Sequence, residues 1–598
     1  MPVLRDRLRA AWEPLRVALC FGLLAGAARV LHYLVMRLTA GQLLWLSDEV
    51  TYLAPFGHGM FFVLAALPLA ALAFVRPSLI PRRVWTVLFA TMALYSFLLL
   101  FPRVHHLASL ALALGGGIQI GRLLARAPRR ETILTRLSGA IAAASVIAAI
   151  AIPIANRSSE ARTIRALPKA SSDAPNVLLV ILDATRAQNM SVYGYAHRTT
   201  PNIERLGAEG VVFDRAISTA PWTLPSVASM MTGYYPTSLS TDWLTPLDDR
   251  FPVLAERLQT RGYLTGAFSA NLNYATRETG LSRGFSRFMD VRLNATEMLL
   301  TVTLVQSDLV REARRALYAR DVVGLIRALV TFHWSRSTST PTHDPKSSAD
   351  LAAQFLDWQL EARGRPWFGM LQMVDAHAPV KPKAPFDTLF SASGVTAGYD
   401  GAIATMDRDI GALLAELGRR GALSQTIVIV TADHGELFGE HGLLEHGNSL
   451  YMPVIHVPLI IRAPGRAPPG VHVRQPVSLR DLGATVLELV DRVASDEPEL
   501  GGRSLRSTWD SSASYRPSAV VSALTAMEWR RAGDSMHWRL TSLVADSMHY
   551  IRDSKGAELL FNVLRDPDEG TSLTKTPLGR AHADSMRLQL ESALKPER

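Results

Sequence analysis

Apolar positions are crowded into the first quarter of this chain and become spaced out after it. Five apolar runs come first, over 17–35, 56–75, 84–101, 107–124 and 137–154. Each is about 18–20 residues, long enough to cross a bilayer as a helix. The connections alternate in charge. Arg5, Arg7, Arg9 and Arg16 precede the first run. Arg76, Arg82 and Arg83 separate the second from the third, and Arg122, Arg126, Arg129, Arg130 and Arg136 surround the fourth-to-fifth connection. The other two connections carry Asp48 and Glu49, or Arg103, His105 and His106. Arginine-rich loops stay in the cytoplasm. The alternation therefore predicts five spans over 1–155, a cytoplasmic N-terminus, and everything after 154 beyond the plasma (inner) membrane. The first run lacks a clear cleavage site and is followed by further runs, so it reads as a span rather than a removed leader. Arg29 and His32 inside it read as polar contacts between helices or as snorkelling groups. Residues 156–175 are polar and aperiodic, which predicts a linker.

From Asn176 the pattern changes. NVLLVILD ends at Asp183, GYLTGAFSAN near Asn271, PWFGMLQMVDAH at Asp375 and His377, and QTIVIVTADHGE at Asp433 and His434. VPLIIRAPG is a further buried-looking strand, and helical stretches lie between the runs. Short β-rich runs alternating with helices predict an α/β fold with a mostly parallel sheet covered on both faces. Ligands bind such sheets beyond the carboxyl ends of the strands. The expected layout is a catalytic domain over 176–490 and a small C-terminal antiparallel subdomain over 491–598. Segment 294–346 is basic and helical in pattern. It reads as a surface insertion, a lid, or an amphipathic element lying on the membrane.

Composition adds two constraints. The 598 residues are 48% hydrophobic with a formal charge of +10. The arginines that carry this charge sit between apolar runs, so they report membrane topology rather than nucleic-acid binding. The single cysteine, Cys20, allows no intramolecular disulfide and no cysteine metal cluster.

The strand ends supply the candidate chemistry. Asp183, Asp433 and His434 are donors of the kind that hold a divalent metal, and each is also a common cap or turn residue. Thr223, in STAPWTLPSVASMMTG, stands where a helix begins. A hydroxyl is a poor nucleophile at neutral pH unless a metal lowers its pKa. A helix N-terminus would also stabilise an oxyanion there. The alternative is that Thr223 merely caps the helix. Ser226 is a second hydroxyl, a turn further into the helix.

Taken together, NVLLVILDATR, TAPWTLPSVASMMTGYYP, VDAHAPV, TADHGELFGEHGLLEHGNSLY with HVPLII, and FNVLRDPDEGTSL resemble the sulfatase branch of the alkaline phosphatase superfamily, from Asn176 to the C-terminus. The resemblance implies an α/β sandwich with a smaller C-terminal sheet. It implies metal ligands at Asp183, Asp433 and His434, with Thr223 as both ligand and nucleophile. It places Arg186 near the site, and His377, His441 and His446 where substrate is contacted or the leaving group protonated. His456 and His472 read as structural. Two departures matter. Sulfatases carry Cys or Ser at the Thr223 position, usually in Cys-x-Pro-Ser-Arg, and oxidise it to formylglycine. Threonine cannot form that aldehyde, and Val227 replaces the arginine. Ala184 also replaces a second acidic ligand, which disfavours calcium. The set resembles the manganese or zinc site of lipoteichoic acid synthases and phosphoethanolamine transferases, which likewise place a threonine in an outer domain after five spans.

The expected activity is hydrolysis or transfer of a phosphoester, of a phospholipid headgroup or an envelope glycan, by a membrane-integral enzyme with one divalent metal. The competing readings are a sulfuric ester hydrolase without formylglycine and a non-catalytic envelope-assembly scaffold.

Overall fold

The computed structural model describes residues 2–39, 43, 49–77, 79–101, 104–290, 295–305, 346–362, 364–493, 499–510, 520–531 and 534–595. They divide into two compact units, one of residues 1–159 with 291–344, the other of 160–290 with 345–598.

The first unit is helical: α1 (Pro2–Thr39), α2 (Val50–Val75), α3 (Arg82–Leu98), α4 (His106–Ala125) and α5 (Pro128–Ala166, whose last turns belong to the second unit). Helices form at all five predicted runs. Among the described residues, four of them, α1, α2, α4 and α5, are long and apolar enough to cross a membrane. The count of five spans is therefore not met by length: α3 has 17 residues, about 25 Å of rise against a hydrocarbon core of about 30 Å. The predicted run continued to Phe101, but the helix stops at Leu98. Asp48 and Arg103, used in reading the loops, lie outside the described residues.

Helices α1 and α2 meet through small residues. A Cβ on Gly22 would lie 2.7 Å from the His58 carbonyl oxygen, and one on Gly26 would lie 2.4 Å from Pro55 Cα. Backbones this close are how helices associate in apolar surroundings, where burial itself supplies little drive. Gly26→Val is expected to destabilise the full chain by about 1–3 kcal/mol, read as a lower melting temperature in detergent. An unchanged melt would show that the helix pair is not close-packed there. At one end of the unit, Arg16 pairs with Glu131 (2.5 Å) and Glu13 (3.3 Å), and Arg82 pairs with Glu13 and Glu131. These pairs gather the N-terminal halves of α1, α3 and α5. Helix Ala295–Leu300 and the turn after it pack on α2: Thr303 N–H donates to His58 Nε2 at 3.2 Å, and Thr301 Oγ1 to the Leu53 carbonyl at 3.3 Å. That much of the basic insertion belongs to the helical unit; 306–345 lie outside the described residues.

The expected linker is also corrected. Residues 156–166 continue α5, because Ala155–Ala166 lacks glycine and proline and favours helix. Arg287 pairs with Glu160 at 2.9 Å and with Glu361 at 2.7 Å, which anchors the last turns. Pro168 follows, and the residue before a proline disfavours helix.

The second unit is built on an eight-stranded sheet. In chain order its strands are β1 (Asn176–Leu182), β2 (Val211–Phe213), β3 (Leu264–Ser269), β4 (Arg287–Met289), β5 (Trp367–Met373), β6 (Thr426–Thr431), β7 (Leu459–Arg462) and β8 (Val471–Val473). Their spatial order is β8-β2-β7-β6-β1-β5-β3-β4. Strands β6, β1, β5, β3 and β4 are mutually parallel, and β7 is antiparallel to both neighbours. Strands β3, β5 and β6 are buried along their whole length and β1 in all but its first residue, as parallel strands with both faces covered must be. Strand β6 pairs Val177 with Ile427 and β5 pairs Val177 with Phe368, so all three strands end together. The C-terminal sheet, β9 (Val520–Arg531), β10 (Asp534–Ala545), β11 (Met548–Asp553) and β12 (Glu558–Asn562), is antiparallel. Its helix Pro577–Ala593 buries Ala583, Met586 and Leu590 against Leu543, Tyr550 and Leu560.

That sheet braces the loop before Thr223. Ala523 N–H donates to the Thr219 carbonyl (2.8 Å) and Ser522 Oγ to the Ser218 carbonyl (2.5 Å). The closing motif has a matching role: buried Glu569 accepts from Met452 N–H (2.7 Å) and pairs with His549 (2.5 Å).

Candidate active site

Four adjacent strands deliver side chains to one rim. Asp183 follows β1, Asp433 and His434 follow β6, Gln372 is the penultimate residue of β5, and Asn271 follows β3. Neighbouring strands are about 4.8 Å apart, so groups at their carboxyl ends fall within reach of each other. Thr223 is the first residue of α6 (Thr223–Thr232); the cap position belongs to Trp222. The capping alternative for Thr223 is thereby set aside. Its hydroxyl turns to the rim instead, 3.2 Å from His434 Nε2 and 3.3 Å from Asn271 Nδ2. Ser226 faces the other way and donates to the Asp433 carbonyl at 2.6 Å, holding the ligand loop.

The buried carboxylates are held by amides. Asn271 Nδ2 donates to Asp183 Oδ2 at 2.6 Å. Gln372 Nε2 donates to Asp183 Oδ2 and to Asp433 Oδ2, both at 3.1 Å. Asp433 Oδ1 accepts from His434 N–H at 2.9 Å and Ala184 N–H at 3.3 Å. Asp183 Oδ1 is buried without a hydrogen-bond partner among the described residues. His434 Nδ1 lies 2.9 Å from the Gly435 carbonyl, so it carries the proton and Nε2 presents its lone pair. Nε2 lies 3.8 Å from Asp183 Oδ1 and 3.7 Å from Asp433 Oδ2. The three ligand atoms lie within 4.8 Å of one another. An orphaned carboxylate oxygen facing an imidazole lone pair and a second carboxylate fits a divalent cation. Two carboxylates, one imidazole and a hydroxyl are oxygen and nitrogen donors of the kind that hold a divalent cation.

Charge is balanced around this cluster. Burial raises the Asp433 carboxyl to about 6, helped by the Asp183 charge. Burial acts on Asp183 too, but the charges of His377 and His434 and the two amide donors outweigh it and hold it low. Burial opposes the charged form of His434, yet Asp433 and Asp183 raise it. Burial and the neighbouring imidazoles His434 and His377 push His446 well down.

The predicted histidines separate. His446 lies beside His434, with ring centroids 4.2 Å apart, and His377 lies 5.0 Å from His446. His441 is exposed and stacks on Tyr451 at 3.6 Å, with no contact to the ligand cluster. Arg186 is buried beside the site, but its guanidinium is engaged: it donates to Asn189 (2.5 Å), the Glu436 carbonyl (3.2 Å) and Glu440 (2.6 Å), and lies over Phe438. His456 and His472 both bond to Asp214.

Three features escaped the sequence reading. Gln372 sits inside an apolar strand, where an amide looks like any tolerated polar residue. Glu436, raised by burial to about 7, pairs with His446 Nδ1 at 3.0 Å. Its signal was its spacing, two residues after the His434 ligand. Trp222, Trp243 and Tyr274 cluster beside the hydroxyl although the chain separates them widely. Gln372→Met is expected to weaken manganese or zinc binding by about 10- to 100-fold, measured by titration calorimetry. Unchanged affinity would show that the amide does not set the carboxylates.

The chain was compared with known proteins. A family model described as Sulfatase matches residues 175–492. Steryl-sulfatase of Rattus norvegicus is 24% identical over 500 residues, covering 67% of this chain and 85% of that protein. Arylsulfatase K of Bos taurus is 25% identical over 437 residues, covering 67% and 78%. Among solved structures, a phosphonate monoester hydrolase of Agrobacterium radiobacter superposes with a TM-score of 0.51 at 20% identity, covering 70% of this chain and 95% of that one. With more than half of its length matched by the family model, and with the parallel sheet, the ligand rim and the C-terminal antiparallel sheet in place, the chain belongs to the sulfatase family.

Proposed function

We propose that this chain is a membrane-anchored, metal-dependent esterase or transferase acting at phosphorus, with Thr223 as its nucleophile. The observation that carries this is the Thr223 hydroxyl, turned from its helix end onto His434 and Asn271 beside two buried carboxylates. A divalent cation held by Asp183, Asp433, His434 and Thr223 would lower the hydroxyl pKa and offset developing negative charge. The N-terminus of α6 favours that charge as well. Thr223 Oγ1 gives its proton to solvent water and bonds to phosphorus, and the bond from phosphorus to the leaving oxygen breaks. His446 Nε2 hands a proton to that oxygen, and Glu436 returns one to Nδ1. Water or an acceptor hydroxyl then releases the phosphoryl group from the threonine.

The clustered N-terminal halves of α1, α3 and α5, with arginines among them, support a cytoplasmic N-terminus; a catalytic unit across the inner membrane requires the 17-residue α3 to cross as well. A phospholipid headgroup or an envelope glycan would be the substrate at such a surface. The second reading, hydrolysis of a sulfuric ester, is favoured by the named sulfatase relatives. Turnover of an aryl phosphodiester and an aryl sulfate by the manganese-loaded full chain separates the two. Faster phosphodiester turnover is expected, and the reverse preference would support the sulfatase reading.

A further inference from the structure

Glu569 and His549 form a buried pair that the proposed reaction does not use. His549 lies on β11 and is fully buried, and Glu569 is 2% exposed. Glu569 has φ 54°, a conformation that residues other than glycine rarely adopt. Such a conformation persists where its surroundings enforce it. Here Asp566 does so: its carbonyl accepts from Glu569 N–H at 3.1 Å, and its carboxylate from Gly570 N–H (3.1 Å) and Thr571 N–H (3.0 Å). The turn aims the Glu569 carboxylate inward. Its Oε2 accepts from Met452 N–H at 2.7 Å, and its Oε1 lies 2.5 Å from His549 Nδ1. His549 Nε2 is buried without a hydrogen-bond partner among the described residues. Every hydrogen bond of that imidazole among them therefore goes to the carboxylate.

Met452 opens a single helical turn, Met452–Ile455. The other three carbonyls of this turn all serve the active-site loops. Pro453 accepts from Glu436 N–H at 3.1 Å, Val454 from Gly435 N–H at 2.7 Å, and Ile455 from Ser218 N–H at 2.8 Å. Gly435 and Glu436 directly follow His434. Ser218 begins the loop that leads to Thr223, and its Oγ bonds to Ser226 on α6 (3.0 Å) and to the Asp433 carbonyl. One turn thus supports the ligand loop and the nucleophile loop together. The approach is close: a Cβ on Gly435 would lie 2.1 Å from the Pro453 carbonyl oxygen. Packed interiors transmit small shifts, so a tilt of the turn would move both loops.

Apolar packing holds the turn in place but does not orient it. Met452 and Ile455 share a cluster with Val520, Leu524, Leu540 and Val544 of the C-terminal sheet. Such contacts are non-directional. Hydrogen bonds to a carboxylate are directional, short and strong. A buried carboxylate is also costly unless its oxygens are satisfied, and His549 satisfies the one that Met452 leaves.

We propose that Glu569, aligned by His549, is a positioning residue: it orients the Met452–Ile455 turn and, through it, the backbone behind His434 and the loop before Thr223. The inference rests on the proposed site around Thr223 and adds a support that the reaction needs.

The test compares two variants of the full chain in detergent. Glu569→Met keeps the volume and removes both acceptors. Glu569→Gln keeps an oxygen for Met452 N–H, and its NH2 can donate to the other tautomer of His549. Hydrogen exchange of the metal-free chain is read first. In Glu569→Met the peptides spanning 433–436 and 217–219 should exchange about three- to tenfold faster, with β1 as protected as in the native chain. Manganese affinity should fall about tenfold, and kcat for an aryl phosphodiester by a similar factor at unchanged KM. Glu569→Gln should stay within about threefold of native in each reading. Native exchange at 433–436 in Glu569→Met, faster exchange spread evenly over the sheet, or a glutamine variant no better than the methionine variant would each overturn the inference. If Glu569→Met does not fold, His549→Leu takes the same readings with the same expected direction, and native values in it would overturn the inference equally. Exchange and metal binding are read without turnover. A chain that shows both local losses but turns over no ester therefore contradicts the proposed reaction and leaves the positioning role standing.

Discussion

Thr223→Ala is expected to lower turnover of a phosphodiester by at least about 10³-fold, the scale on which removal of a catalytic nucleophile acts. The reasoning is geometric. Thr223 Oγ1 contacts His434 Nε2 and Asn271 Nδ2, and no other hydroxyl among the described residues makes both contacts. Ser226, the other candidate, spends its hydroxyl on the Asp433 carbonyl and on Ser218. It cannot replace Thr223 without releasing the loop that carries two ligands. Thr223→Ser keeps the hydroxyl and should stay within about tenfold of the native rate. The side chain of Thr223 makes no capping bond, so the alanine variant should melt near the native temperature. Loss of rate with an unchanged melt identifies chemistry; loss of both would point to a structural role.

Asp433→Asn should have two opposite effects. In the metal-free protein two buried carboxylates face each other, and burial together with Asp183 raises Asp433 to about 6. A carboxyl whose folded pKa lies above its unfolded value binds more protons when folded. Stability of the metal-free protein therefore falls as pH rises from about 4 through 6, and Glu436, raised to about 7, extends the fall. Asparagine removes one charge from this repulsion. At pH 7.5 in a chelator the variant should melt higher than the native chain and show a flatter pH profile. With manganese or zinc present the order should reverse, because a ligand has been lost and binding no longer stabilises the fold. A variant still stabilised by metal to the native extent would remove Asp433 from the ligand set.

How far the sequence could be read depended on where the informative groups stood. Asp183, Asp433 and His434 were visible because each ends an apolar run that can only be a buried strand. Thr223 was visible because a proline two residues on marks a helix start. Gln372 was not, since nothing local separates a ligand-holding amide from a structural one. Glu436 and His446 are ten residues apart, flanking a short antiparallel hairpin of Leu437–Phe438 and Leu444–Glu445, and only the fold shows that they pair. The aromatic face joins residues 222, 243 and 274 through a loop and a turn, which periodicity does not address. In the helical unit the apolar runs located all five helices. Their ends were less legible: α3 stops short, and α5 runs past its apolar stretch because propensity and the Arg287–Glu160 pair continue it. The resemblance placed Arg186 near the site and His441 where substrate is contacted or the leaving group protonated. Here His441 stacks on Tyr451, and Arg186 bonds to Glu440 and to the Glu436 carbonyl.

The central claim is that Thr223 becomes bonded to phosphorus during turnover. The most direct measurement is peptide mass spectrometry of the manganese-loaded full chain, acid-quenched during turnover of a phosphodiester, with Thr223→Ala treated alongside. The account predicts a phosphoryl-bearing adduct on the peptide containing Thr223 and none in the variant. An unmodified Thr223 peptide, together with equal turnover by Thr223→Ala, would contradict it.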